Sequence, residues 1–183
     1  MKLTKANKTI QNQKGVQNKM TLYFEDEGDL TLDLPYEELA KEVIYASLDY
    51  VACPYEVQVG LLLTMNEEIH AINLEQREID KPTDVLSFPM LDYEVPGVFA
   101  FLEEDEMHFD PESGELPLGD IVISKEKVVS QAEEFGHSVK REFAFLIAHS
   151  MLHLFGFDHM EENERIEMEQ MQRDILEGLK ILR

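Results

Sequence analysis

The apolar positions along the chain change period several times, and each change marks an element. Met20 to Phe24 (MTLYF) reads as a strand. Pro35 opens a helix, because its missing N–H costs nothing in a first turn. Leu39, Val43, Ala46 and Val51 then roughly follow helical spacing to about Cys53. Residues 56 to 65 (EVQVGLLLTM) begin with alternation and become a continuous apolar run, which suits a buried strand. Asn66 is expected to cap a short helix, NEEIHAINLEQR, with acids in its first turn. DVLSFPM, 84 to 90, is another strand, broken by Pro89.

Residues 91 to 117 lose all periodicity. They hold nine acids and neither Lys nor Arg, which predicts an acidic, loop-like insertion, mobile and able to cover a cleft. Its acids lack the alternating spacing and central glycine of a calcium loop. GDIVISKEKV resumes with a strand, and Ser124 caps a helix ending near Gly136. Ser138 caps the next, SVKREFAFLIAHSMLHLF, whose residues 143 to 148 are apolar on every face. Such a helix belongs at the centre of the core. Gly156 closes it. A last helix runs from about Glu161 to Leu179, acidic on one side and apolar at Ile166, Met168, Ile175 and Leu179. No internal repeat or inter-domain linker interrupts this order. The pattern predicts one α+β domain over 20–183, a small mixed sheet packed on the central helix with further helices flanking it.

Charge changes the picture. The net charge is -22, yet residues 1–19 contain five lysines and no acid, so the rest carries about -27 by difference. The first nineteen residues are polar and aperiodic and read as a mobile basic tail. An acidic balance disfavours non-specific nucleic-acid binding. A polyanionic substrate must therefore meet a local basic spot or a metal ion. No run reaches the roughly 18 apolar residues of a membrane span, and the start lacks the apolar stretch of a signal peptide. The single cysteine, Cys53, excludes an internal disulfide. Together these features predict a cytoplasmic protein with no membrane partner.

The chemistry concentrates in HSMLHLFGFDH, residues 149 to 159. His149 and His153 are four apart on a helix, so both rings leave one face, one turn (~5.4 Å) apart. A third ligand must come from chain that has turned away. Gly156 supplies the turn and His159 follows it. Three neutral imidazoles leave one position open on a tetrahedral zinc ion, as a catalytic site does. The spacing is that of metzincin proteases, but Ser150 stands where those enzymes carry a glutamate base. An unactivated hydroxyl is no substitute. Zinc can itself acidify a water to a pKa of about 7, which removes the need for that base. His70, His108 and His137 lack such company and are expected to be structural or exposed.

The same stretch is similar to the signature of the YbeY family of bacterial endoribonucleases, HGxLHLxGxDH. The resemblance continues upstream: NLEQREIDKPTDVLSFP, 73 to 89, is similar to the family's NxxxRxxDxxTDVLSFP segment, and LGDIVIS, 118 to 124, matches its LGD strand. It covers roughly residues 20 to 179 and departs from the pattern at Ser150, usually glycine, and in the acidic insertion. The resemblance implies a zincin-like fold and one Zn²⁺ ion on His149, His153 and His159. It implies a catalytic arginine, Arg77, acting with His149. It further implies single-strand-specific cleavage in 16S rRNA 3′-end maturation and ribosome quality control, with ribosomal RNA, the small ribosomal subunit and a ribosomal protein as partners. Thr83, Asp84 and Ser87 match family positions, although turn and strand roles explain them equally well. Asp158 is expected to orient a ligand histidine or cap a turn. Two alternatives stand beside this reading: a metzincin-like metallopeptidase, and a non-catalytic ribosome-assembly factor with a structural metal.

Overall fold

The computed structural model describes residues 20–103 and 106–182; the lysine-rich tail predicted over 1–19 lies outside them. In chain order the elements are β1 (Met20–Asp26), α1 (Tyr36–Tyr50), β2 (Val57–Thr64), α2 (Asn66–Arg77), β3 (Val85–Pro89), β4 (Leu116–Ser124), α3 (Lys125–Phe135), α4 (Val139–Leu154) and α5 (Glu162–Gly178). The strands form one sheet in the order β1-β2-β4-β3. β1, β2 and β4 run parallel, and β3 joins β4 antiparallel at the edge, so the sheet is mixed. The architecture is α+β.

Period-two alternation assigns the sheet's two faces. Leu61, Leu63, Ile121 and Ile123 face the main core, whereas Leu62 and Val122 turn to the other face, where they meet Leu86 and Ile69 beneath α2. The helix that is apolar all round takes the centre: α4 packs on α1, α3, α5 and the sheet. Phe143, Ala144, Ile147, Ala148, Met151 and Leu152 there have no exposed surface. Ser124 and Ser138 cap as predicted, accepting from the backbone N–H groups of Lys127 and Arg141 at 3.3 and 3.2 Å. Pro89 sits at the end of the edge strand, where a missing donor breaks no ladder.

Four details differ from expectation. Asn66 is the first helical residue of α2, not its cap; its Oδ1 accepts from Ser124 Oγ at 2.8 Å and ties α2 to the end of β4. Helix α1 stops at Tyr50, three residues before Cys53. Ile166 is 51 % exposed, because α5 turns Met168, Gln172, Ile175 and Leu176 inward. The acidic segment 91–117 is loop-like, with short 3-10 turns at Ala100–Leu102 and Glu106–His108, but it is anchored. Leu91, Phe99 and Leu102 enter the main core, and Tyr93, Phe101 and Phe109 pack against it.

The LGD motif has a backbone reason. Opposite β2, Gln58 pairs with Pro117 and Val59 with Gly119, so Leu118 is an extra, bulged residue. Its carbonyl instead accepts from Met90 N at 3.0 Å. Gly119 adopts φ +140°, and a Cβ there would lie 2.2 Å from the Phe88 carbonyl oxygen and 2.9 Å from Leu154. Strain and collision act together. Gly119→Ala is therefore expected to cost on the order of 3 kcal/mol, read as a shift of the urea midpoint; an unchanged midpoint would refute this account of the bulge.

Candidate metal centre and cleft

The last two turns of α4 carry His149 and His153 on one face. Gly156, at φ +84°, ends the helix: its N–H donates to the His153 carbonyl at 2.9 Å and that of Phe157 to Leu152 at 3.0 Å. The reversed chain returns His159 to the pair. The His153 and His159 ring centroids are 5.1 Å apart and those of His149 and His159 5.4 Å. One ring nitrogen from each histidine lies within 4.8 Å of the others. The three predicted ligands thus form a cluster able to hold a metal ion.

Protonation favours the same role. Burial, and then the neighbouring imidazoles, pull His149 down from 6.5 to about 4. His153 is also lowered, first by burial and then by His159. Both are neutral at pH 7, as ligands must be. His153 Nδ1 lies 2.9 Å from the Phe157 carbonyl, which can only accept, so that nitrogen carries the proton and Nε2 a lone pair. His153 Nε2 faces His149 Nε2 at 3.1 Å.

The amide of Gln172 decides how His149 answers. It lies 2.5 Å from His149 Nδ1 with its nitrogen toward the ring. In that orientation Nδ1 accepts, and Nε2 donates to His153, which is the metal-free pattern. Turning the amide by 180° presents Oε1, places the proton on Nδ1 and leaves two Nε2 lone pairs converging. A cation placed between them would relieve that convergence. The donor set therefore fits a nitrogen-liganded ion, with Gln172 as the outer partner of His149. Sequence reading missed Gln172; its signal was a polar residue on the apolar face of α5, four residues after Met168.

Around the cluster lies a cleft of about 730 Å³, reached by Arg77, Thr83, Asp84, Ser87, Asp158 and Gln172 among others. Arg77 ends α2, is exposed, and has no ion-pair partner among the described residues. Asp84 is committed to its neighbours: Oδ1 accepts from Val85 N at 2.8 Å and from Thr83 Oγ1 at 3.1 Å, while Oδ2 accepts from the Gln131 side chain at 3.1 Å. Asp158 accepts from His159 N at 2.7 Å and so stiffens the turn. Arg165 also lines the cleft, but Glu162 and Glu169 bind it. Ser150 is fully buried, its Oγ has no hydrogen-bond partner among the described residues, and it does not line the cleft. No described residue of 91–117 lines the cleft either. That segment stands behind the site instead. Gly97 N donates to Phe155 O at 2.8 Å, and the Tyr93 ring fills the space that a Cβ on Gly156 would need. Of the other histidines, His70 pairs with Asp80 and His137 with Glu142, outside the cluster.

A family model described as "Endoribonuclease YbeY" matches residues 23–180. The chain belongs to the YbeY family. The Endoribonuclease YbeY of Agathobacter rectalis is 58 % identical over 165 residues, 90 % of this chain and all of the relative. That of Lachnoclostridium phytofermentans is 57 % identical over the same shares. The solution structure of a Thermotoga maritima protein superposes with a TM-score of 0.53 at 20 % identity, covering 87 % of this chain and 92 % of that one, and supports the fold.

Two outcomes follow from this geometry. Gln172→Leu removes the outer acceptor and is expected to lower Zn²⁺ affinity roughly ten- to a hundredfold; competition against a chromophoric chelator measures it, and unchanged affinity would remove Gln172 from the site. In metal-free protein, the unfolded chain takes a proton on residue 149 near pH 6.5 and the folded one only near pH 4. The unfolded state then binds more protons, so stability is complete above about pH 6.5 and falls as pH drops toward 4. His149 should contribute about 2 kcal/mol of loss between pH 7 and pH 5, and His149→Gln should abolish that share in urea titrations at the two pH values.

Proposed function

We propose that this protein is a zinc-dependent, single-strand-specific endoribonuclease acting in 16S rRNA 3′-end maturation and ribosome quality control. Its partners on this reading are ribosomal RNA, the small ribosomal subunit and a ribosomal protein, met in the cytoplasm. The relatives' shared name supports the reaction; the motif resemblance supports the substrate. The observation that carries the reading is an exposed arginine with no carboxylate partner among the described residues, Arg77, in the same cleft as three histidines able to hold a metal.

In this reading His149, His153 and His159 hold one Zn²⁺ ion, which when bound supplies Lewis acidity at a phosphoryl oxygen. The rest is done by the chain. Phosphodiester cleavage adds negative charge to the phosphorus centre, and the Arg77 guanidinium offers paired N–H donors to it. Because no carboxylate among the described residues pairs with Arg77, its charge is available to the substrate. The Phe157 carbonyl holds His153 in its ligand tautomer, and Gln172, once its amide is turned, would do the same for His149. Among the described residues the cluster offers three protein ligands, fewer than the four of a typical structural zinc site, which supports the catalytic reading over a purely structural metal.

One observation favours the peptidase alternative: β3 is an edge strand lining the cleft, where an extended peptide could add. Against it, position 150 carries a buried serine rather than a cleft-facing carboxylate. The test is cleavage of defined RNAs and of casein by metal-quantified protein, with and without chelator. RNA cleavage that chelator abolishes supports the proposal, and faster chelator-sensitive casein cleavage overturns it. Within that assay Arg77→Ala is expected to keep zinc content and folding but slow RNA cleavage about a hundred- to thousandfold, the ~2.7–4 kcal/mol of a lost charge donor. Arg77→Lys should not restore the rate fully, because an ammonium lacks the planar fork. Near-normal single-turnover rates in Arg77→Ala would take it out of the reaction.

A further inference from the structure

The metal ligands are half of a longer stripe. Arg141, Phe145, His149 and His153 recur at intervals of four on α4 and so share one face. From Arg141 to His149 the stripe runs ~12 Å along the helix. The proposed reaction uses only its metal end. Phe145 lies nearly parallel to the His149 ring, at 19° and 6.3 Å between centroids. Arg141 holds its guanidinium carbon 5.9 Å from the Phe145 centroid.

Phe145 is also a shared wall. It lines the metal cleft and a second cavity of about 210 Å³, formed with Phe135, His137, Arg141 and Glu142. Phe135, at the end of α3, is 51 % exposed, and its ring stacks on His137 at 29°. His137 is fixed in turn by Glu142, Nε2 to Oε2 at 2.9 Å, with both side chains almost wholly buried. Arg141 Nε is buried and has no hydrogen-bond partner among the described residues. A buried donor left unpaired is costly, and a half-bare phenylalanine ring leaves apolar surface in water. One ligand that is flat, aromatic and rich in acceptors relieves both.

We propose that this side cavity is a subsite for a single unpaired nucleobase of the RNA whose scissile phosphate lies at the histidine cluster. The proposal rests on the ribonuclease reading and adds to it where the strand is gripped. The base stacks on the Phe135 face, and the strand's acceptor oxygens take the Arg141 N–H groups. The cavity is smaller than the ~300–1,000 Å³ that hold a drug-sized ligand, which suits one base rather than a longer segment. A base already stacked in a duplex offers no free face to it.

The test is a cycle between protein and RNA. Zinc-loaded full-length wild type and Phe135→Ala are given one short RNA with one cleavage site and a set of variants, each abasic at one nucleotide. Cleavage gives kcat and KM; anisotropy with a 2′-deoxy scissile nucleotide gives binding alone. In wild type, one abasic position is expected to raise KM on the order of tenfold or more, as a lost stacking contact does. In Phe135→Ala the intact RNA should show that same rise with kcat unchanged, and the abasic position should become silent. Phe135→Leu, which keeps apolar volume without the π face, should behave like Phe135→Ala and covers a folding defect in the latter. Cleavage with no position-specific penalty, or with equal penalties in both proteins, overturns the subsite and leaves the nuclease standing. A position-specific binding cycle without cleavage overturns the nuclease and leaves the subsite. Neither binding nor cleavage overturns both, and tight casein binding lost in Phe135→Ala would reassign the cavity to a peptide side chain.

Discussion

Helix α4 has to serve two solvents at once. Its middle is sealed in the core, with Phe143, Ala144, Ile147 and Ala148 fully buried, while one stripe must present imidazoles to a cleft. A straight helix can offer two ligands from one face but not three around one ion. The backbone reversal at Gly156 resolves this, and much of the surrounding structure serves it. The left-handed φ needs a residue without Cβ, and Tyr93 occupies the volume so vacated. Gly97 holds the carbonyl of Phe155, Phe157 lends its carbonyl to His153, and Asp158 binds the amide of His159. Each contact fixes a different atom of the turn, so the three ligand positions are set by backbone geometry rather than by side-chain freedom.

This explains what the acidic segment 91–117 is for mechanically. Its composition suggested a solvated, mobile loop. Its structure instead inserts Leu91, Phe99 and Leu102 into the core and sets Tyr93 behind the turn. Asp92, Glu94, Glu103 and Glu112 face water, while the segment's few apolar residues hold it down and Glu115 is buried against Thr21 and Gln58. Composition averages over the segment and hides this, since a loop needs only a handful of anchors and gives them no period.

The same contrast separates what could be read from sequence from what could not. Period-two runs and the all-round apolar stretch of α4 were legible because burial imposes them locally. The triad was legible because i,i+4 spacing and a helix-ending glycine are local geometry too. Arg77 was legible only through its motif, since nothing in α2 itself points to a cleft. Gln172 was not, because its role depends on the register between α5 and α4, which no short stretch encodes. Ile166 failed for the related reason that a weakly amphipathic helix permits more than one inward face. Phe135 and Arg141 lie on different elements and acquire meaning only once α3 and α4 pack.

Charge is the remaining constraint. A protein with this acidic excess repels RNA over most of its surface, and few released counterions would drive binding. Yet the reading that fits the site asks it to cut RNA. The two are compatible if the strand is held by a small number of directional contacts: a metal ion on three histidines, one uncompensated guanidinium, and a base on an aromatic face. Each contact is short-ranged and needs the strand open and correctly placed. Repulsion elsewhere then raises the threshold that any RNA must cross, so a duplex, or a strand lacking one contact, is rejected by the background that the correct strand overcomes. In this arrangement the acidity works as selectivity against wrong partners, and the few contacts that overcome it are gathered along and around one stripe of α4.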